Sequence, residues 1–278
     1  MGLLLDCRGR VLDLSHARVM GVLNVTPDSF SDGGRYADVP AALARAREMV
    51  DEGAAVIDVG GESTRPGAAP VGAAEELRRV LPVIEALAAE LAVPVSVDTS
   101  RPEVMRRAVE AGAALINDVR ALRGAGALEA AAEAGVPVCL MHMQGEPGSM
   151  QADPHYRDVV GEVRAFLEAR IDACERAGIP RRCILIDPGF GFGKTVAHNL
   201  RLLNQLERVA AIGLPVLVGL SRKSLIGKIL DAPVERRLYG GLAAAVAAVL
   251  GGARVVRTHD VRATVEALAV VQAVLDAA

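Results

Sequence analysis

The sequence predicts a TIM (β/α)8 barrel, eight parallel strands wrapped by eight helices, with a short N-terminal β-hairpin in front. Three observations predict it. Eight short apolar runs alternate with stretches whose apolar residues recur at helical spacing. Every run ends on polar residues: Asn24, Gly60 to Thr64, Asp98, Asn117-Asp118, Met141-His142, Asp187, Ser221 to Lys223, and Arg257 to His259. A parallel barrel places all those ends on one face, where the active sites of this fold sit. Finally, the chain has 278 residues and is 51% hydrophobic, which suits one barrel of about 250 residues plus a short extension. A doubly wound open sheet also alternates strand and helix, but it gathers its site near one crevice. Polar groups after all eight runs favour closure.

The elements follow in order. Leu3 to Asp6 and Val11 to Leu14 flank Cys7-Arg8-Gly9-Arg10 and read as a hairpin within residues 1–16, placed to cover the N-terminal end of the barrel. The expected helices run from Val39 to Glu52, Ala73 to Leu91, Pro102 to Gly112, Gly126 to Ala134, Asp158 to Ala177, His198 to Ala211, Val234 to Leu250 and Val261 to Ala277. Several stop at a glycine, and Pro102 stands in a first helical turn. No linker divides the chain, so residues 1–278 are expected to form one domain.

Composition narrows the function. Net charge is −3, from 31 basic and 34 acidic residues, with no basic tract, which argues against nucleic-acid binding. The start of the chain is too polar for a signal peptide, and Leu238 to Ala253 is too short and glycine-broken for a membrane span. Cys7, Cys139, Cys174 and Cys183 form no CxxC pair and read as reduced thiols of a cytoplasmic protein.

The polar groups then suggest chemistry. Gly189 to Thr195 looks like a phosphate-binding P-loop, but Pro188 stands where its first glycine belongs, so ATP binding by that route is rejected. Asp98, Asn117 and Asp187 end three strands and should point into the barrel mouth. They could hold a metal, or accept hydrogen bonds from the edge of a flat heterocycle such as a guanine or pterin. Lys223, Arg257 and His259 follow the seventh and eighth strands, whose loops often hold phosphate in this fold, and arginine grips phosphate oxygens bidentately. Of four phenylalanines, Phe30, Phe190 and Phe192 fall in site loops and are expected to stack on or close over a flat substrate.

Met20 to Gly34, Asp58 to Gly67, Ser96 to Thr99, Ile116 to Val119, Met141 to Gln151, Asp187 to Lys194, Ser221 to Lys223 and Arg257 to Asp260 together resemble the motifs of the dihydropteroate synthases. The resemblance spans nearly the whole chain in order; Thr258 departs from an expected apolar residue and should face away from the site. It implies condensation of a dihydropterin methyl diphosphate with 4-aminobenzoate, in folate biosynthesis. It also implies that Asp98, Asn117, Asp187 and Lys223 hold the pterin, and that Asn24 ligates Mg2+ beside a diphosphate bound by Arg257 and His259. Thr64, Arg65, Pro66, Phe192 and Ser221 would shape the aminobenzoate end. By the same resemblance Lys223, Arg257, His259 and Asn24 serve the reaction itself. The apolar helix 242–250 and the last helix, with the family's habit, suggest a homodimer. A corrinoid-dependent methyltransferase on the same barrel would share the pterin residues but not the anion residues, and a non-catalytic pterin-binding protein would not need Asn24 and a metal.

Overall fold

The computed structural model describes residues 3–25, 39–62, 71–146 and 148–277. A hairpin of β1 (Leu4–Cys7) and β2 (Arg10–Asp13) comes first, paired antiparallel. Then β3 (Arg18–Asn24), β4 (Val56–Gly60), β5 (Val95–Asp98), β6 (Leu115–Asp118), β7 (Val138–Met141), β8 (Ile184–Asp187), β9 (Val216–Gly219) and β10 (Ala253–Thr258) pair in parallel, and β10 returns to β3 to close the barrel. Around it lie α1 (Val39–Asp51), α2 (Ala73–Glu90), α3 (Pro102–Glu110), α4 (Ala127–Ala134), α5 (Val159–Arg176), α6 (Val196–Asn204), α7 (Leu206–Ala210), α8 (Ser224–Leu230), α9 (Leu238–Leu250) and α10 (Val261–Asp276). The barrel and its hairpin are those the sequence predicts.

Two helices differ from expectation, and one is new. The helix expected from His198 to Ala211 is two helices, α6 and α7, parted at Gln205, whose backbone leaves the helical range at φ −117°, ψ 30°. α6 also begins at Val196, because Thr195 accepts from the His198 amide while the His198 ring accepts from the Thr195 amide, a reciprocal cap. The helix expected from Val234 is a single 3-10 turn, Val234–Arg236, followed by α9. α8 is unanticipated, since seven residues with Gly227 inside give little periodicity to read.

Strand alternation divides the side chains between two cores. One parity faces outward: Val19, Leu23, Ile57, Val59, Val95, Val97, Ile116, Val138, Leu140, Ile184, Ile186, Val216, Val218 and Val256 pack under the helices. The other faces inward: Met20, Val56, Leu115, Cys139, Leu185, Leu217 and Val255 fill the bottom of the barrel together with Leu5, Cys7, Leu12 and Leu14 of the hairpin segment. The hairpin therefore plugs the N-terminal end. Arg10 ties it to the wall through the carbonyls of Ala88 (2.7 Å) and Val93 (3.3 Å). Two residues further up each strand, the inward parity reaches Asp58, Asp98, Asn117, Asp187 and Arg257, so the alternation that builds the plug also lines the mouth.

This layering makes a prediction. Leu5→Ala empties part of the plug and should cost ~2–4 kcal/mol, the range for a leucine truncated in a close-packed core, whereas Leu4→Ala, 62% exposed on the outer side of the same strand, should change stability by less than about 0.5 kcal/mol. Urea unfolding of the two variants checks it; equal losses would mean that the hairpin is not seated in the barrel.

Candidate active site

The mouth is organised around a carboxylate that no solvent reaches. Asp58 lies in mid-β4, 0% exposed, where a bare charge would be very costly. Its Oδ2 accepts from Arg257 Nε (2.6 Å) and from Asn117 Nδ2 (3.1 Å). Arg257 Nη2 then donates to Asp98 Oδ2 at 2.8 Å. One guanidinium is thus shared by two carboxylates, and four strands, β4, β5, β6 and β10, are tied across the opening. Burial pushes Asp98 up to about 7 against the pull of Arg257, and the neighbouring charge of Asp58 adds to the push. Asn24 ends β3 opposite Gly60, and Gly60 lies opposite Asp98; a side chain at Gly60 would meet both Asn24 and Asp98. Asp58 Oδ1 and Ser96 Oγ, on adjacent strands in register, are buried with no hydrogen-bond partner among the described residues.

A second group stands across the mouth. Asp187 closes β8 and accepts from the Gly189 amide at 2.7 Å; burial raises its pKa, opposed by that bond and by Lys223. Lys223 donates to the Phe190 carbonyl at 2.5 Å and lies 4.2 Å above the Phe192 ring, a cation–π geometry. Burial brings its ammonium down to about 8, with Asp187 pulling the other way. The Phe192 ring rests on an apolar floor of Val119, Met141, Met143 and Met150. The glycines of this loop are required by close backbone approach. A Cβ on Gly189 (φ 69°) would stand 1.9 Å from the His142 carbonyl oxygen, and one on Gly193 (φ 59°) 2.3 Å from that of Gln144.

The third group joins the loops after β9 and β10. Ser221 Oγ lies 3.1 Å from His259 Nδ1 and accepts from the His259 amide at 3.2 Å. Arg222 grips Asp260 through Nε (3.2 Å) and Nη2 (2.6 Å). Thr258 turns away, accepting from Thr264 of α10 at 3.2 Å, as its strand position requires.

Of the residues picked out from sequence, Asn24, Asp98, Asn117, Asp187, Phe192, Ser221, Lys223, Arg257 and His259 fall into these three groups. Thr64, Arg65, Pro66 and Phe30 lie outside the described residues. One expectation is corrected: Phe190 is 1% exposed and belongs to the main core. Its backbone carbonyl, not its ring, serves the mouth. Asp58 was missed as a site residue. The signal was there, because a charge inside Val56-Ile57-Asp58-Val59 shares the inward parity of Val56 and must find a buried partner. Asp118, beside Asn117, is a loop brace: it accepts from the Arg120 amide (2.8 Å) and the Leu122 amide (2.7 Å), and from Ser100. Among the described residues, no three His, Cys, Asp or Glu side chains converge to hold a metal.

A closed barrel whose mouth presents buried acceptors, a lysine and an arginine is matched by a known class. Residues 20–259 match the family of pterin-binding enzymes. The dihydropteroate synthase of Escherichia coli (strain K12) is 55% identical over 273 residues, covering 98% of this chain and 97% of its own. The solved dihydropteroate synthase of Xanthomonas albilineans with 4-aminobenzoic acid superposes with a TM-score of 0.93 at 56% identity, covering 99% of both chains. The same enzyme in complex with 7,8-dihydropteroate gives 0.89 at 54% identity, covering 98% of both chains. The chain belongs to the dihydropteroate synthases.

The buried pair can be probed directly. Asp58→Asn leaves Arg257 with one carboxylate and places an amide where two donors already point. Breaking a buried ion pair costs ~3–5 kcal/mol, so urea unfolding should show a loss of ~3 kcal/mol on that basis. Glu90→Gln, which breaks the exposed pair with Arg47, should leave the midpoint where it is. An Asp58→Asn protein as stable as the parent would show that the clamp contributes nothing.

Proposed function

We propose that this chain condenses (7,8-dihydropterin-6-yl)methyl diphosphate with 4-aminobenzoate, releasing 7,8-dihydropteroate and diphosphate, in folate biosynthesis. The observation that carries the reading is the mouth itself: acceptors at Asp98, Asn117 and Asp187 beside the ammonium of Lys223, with Arg257, Ser221 and His259 along one side. The acceptors suit the NH and NH2 edge of a pterin, and Lys223 supplies a donor to the same ring. Phe192 and Ser221, with Thr64, Arg65 and Pro66, form the aminobenzoate end. The C–O bond to diphosphate breaks with its electron pair leaving on oxygen, and the ring delocalises the positive charge left on the methylene. The arylamine nitrogen attacks that carbon and then loses a proton. Asp98 and Asp187 favour the cationic ring, while Arg257 and His259 favour the departing anion. No side-chain nucleophile is needed.

Asn24 offers one neutral oxygen at the rim beside Gly60 and Asp98. Mg2+ is ordinarily held by one or two protein oxygens together with substrate phosphates and water, so the donor set fits an ion that arrives with the diphosphate. When bound, Mg2+ would offset charge on the leaving group. The reading places the enzyme in the cytoplasm, where thiols such as Cys139 and Cys174 stay reduced, as one pterin-binding domain over residues 1–278. No helix among the described residues is long and apolar enough to cross a membrane.

Diphosphate release should require the pterin diphosphate and Mg2+, and dihydropteroate should form only when aminobenzoate is also present. No release with the full mixture would turn the reading toward the methyltransferase or the binding protein. Arg257 also neutralises Asp58 and Asp98, so its loss would disturb pterin as well as anion. His259→Ala is the cleaner probe. It should weaken the diphosphate ester ~10-fold, equivalent to about 1.4 kcal/mol, and leave bare pterin binding unchanged by calorimetry. Equal loss of both would remove His259 from the anion site.

The same proposal includes a homodimer through the last helices. Val270 and Val274, one turn apart on α10, are 67% and 65% exposed, and Tyr239 and Leu250 of neighbouring α9 are likewise bare. Apolar side chains exposed on these two packed helices favour a twofold partner. Light scattering at micromolar concentration should give twice the 29.0 kDa chain mass; the chain mass itself would count against the dimer.

A further inference from the structure

The loop after β8 has the composition of a phosphate cradle and the opposite wiring. In a P-loop the amides and the lysine point at phosphate. Here the Gly189 amide is spent on Asp187 Oδ1, and the Gly191 amide on Asn199 Oδ1 at 2.7 Å. Five consecutive carbonyls each accept from a side chain. Lys194 takes Gly189 (2.8 Å) and Phe192 (3.1 Å), Lys223 takes Phe190 (2.5 Å), Gln151 takes Gly191, and Tyr156 takes Gly193 (2.8 Å). Lys194 is 3% exposed. Its third donor meets His142 Nδ1 at 2.9 Å, so all three ammonium hydrogens are placed. His142 is buried and packs edge-on against Phe166. Burial holds its pKa near 2, which makes it a neutral acceptor.

We propose that Lys194 is a positioning residue: from inside this loop it holds the backbone whose Phe190 carbonyl and Phe192 ring fix Lys223 in the mouth. The physical reason is satisfaction of buried groups. Without the ammonium, the Phe192 carbonyl and the His142 imidazole nitrogen lose their donor in a buried setting, the Gly189 carbonyl keeps only the Phe192 amide at 3.1 Å, and the loop must open to find water. The carbonyl and the ring that hold Lys223 are carried on that same backbone. Burial has brought Lys194 down to about 7, so the loop keeps a lysine where its charge is costly. The inference deepens the proposed synthase reading and rests on it for the role of Lys223.

The chain has three lysines, Lys194, Lys223 and Lys228, so competitive acetylation followed by peptide mass spectrometry reads Lys223 with Lys228 as internal reference. Lys223 faces Asp187, Asp98 and Arg257, all intact in Lys194→Met, and also Lys194 itself, whose lost charge alone would raise Lys223. In that variant Lys223 should titrate closer to an ordinary lysine, at about 10.4, while Lys228 is unchanged. KM for the pterin diphosphate should rise ~10-fold or more, with a smaller change in kcat. Lys194→Gln removes the same charge but keeps two donors, so Lys223 should move less in it than in Lys194→Met; an equal shift in the two would be the charge effect alone and overturns the proposal. Tyr156→Phe, which removes a donor to the Gly193 carbonyl and no charge, should move Lys223 in the same direction and decides the matter if the lysine variants do not fold. A Lys223 titration unmoved in the folded variants overturns the proposal. Lack of synthase activity in the parent protein would strike the functional reading instead, since acetylation needs no substrate.

Discussion

The ion pair of Arg257 with Asp58 and Asp98 is the constraint on which the mouth depends. A guanidinium cannot shed its charge, and a carboxylate with no access to solvent must be paired. Asp58 meets that demand with a single oxygen that also orients the Asn117 amide. The orientation of Asn117 and the placement of Arg257 are consequences of one arrangement, and the same guanidinium offsets part of the burial that raises Asp98. A ligand that draws Arg257 toward an anion changes the charge felt by Asp58 and Asp98. Asp58 therefore couples Arg257 to Asn117 across the mouth.

Strand alternation supplies the framework for that pair. The inward parity is apolar at the bottom, where Leu5 and Leu14 complete the packing, and polar or charged at the top. The change takes place over one inward step, from Val56 to Asp58, Leu115 to Asn117, Leu185 to Asp187 and Val255 to Arg257. A dry plug directly below strengthens every electrostatic contact above it. The hairpin is thus linked to the site through packing, although it lies at the opposite end of the barrel.

The loop after β8 shows how composition can mislead about wiring. Glycine and lysine there serve internal contacts: the glycines let the backbone approach His142 and Gln144, and Lys194 fills the space with donors. Rigid support for Lys223 and Phe192 follows from saturation of the loop's own carbonyls, not from regular secondary structure. Lys223 is itself one of the donors, so the loop and the residue it supports are placed together.

Much was legible from the chain alone. Eight apolar runs with polar ends give the barrel, because alternation and length admit few other closures. The residues after those runs give most of the mouth, since in a parallel barrel they share one face by necessity. Pairing was decided by tertiary structure. Asp58 and Arg257 stand 199 positions apart, and strand parity says that both face inward but not that they meet. Phe190 and Phe192 have the same neighbours in sequence, yet one ring is buried in the core and the other faces Lys223. Lys194 stands in a stretch that looks like a P-loop until the carbonyls around it are seen. The sequence by itself determined which residues share a face; only the closed barrel, through distance and burial, decided which of them are partners.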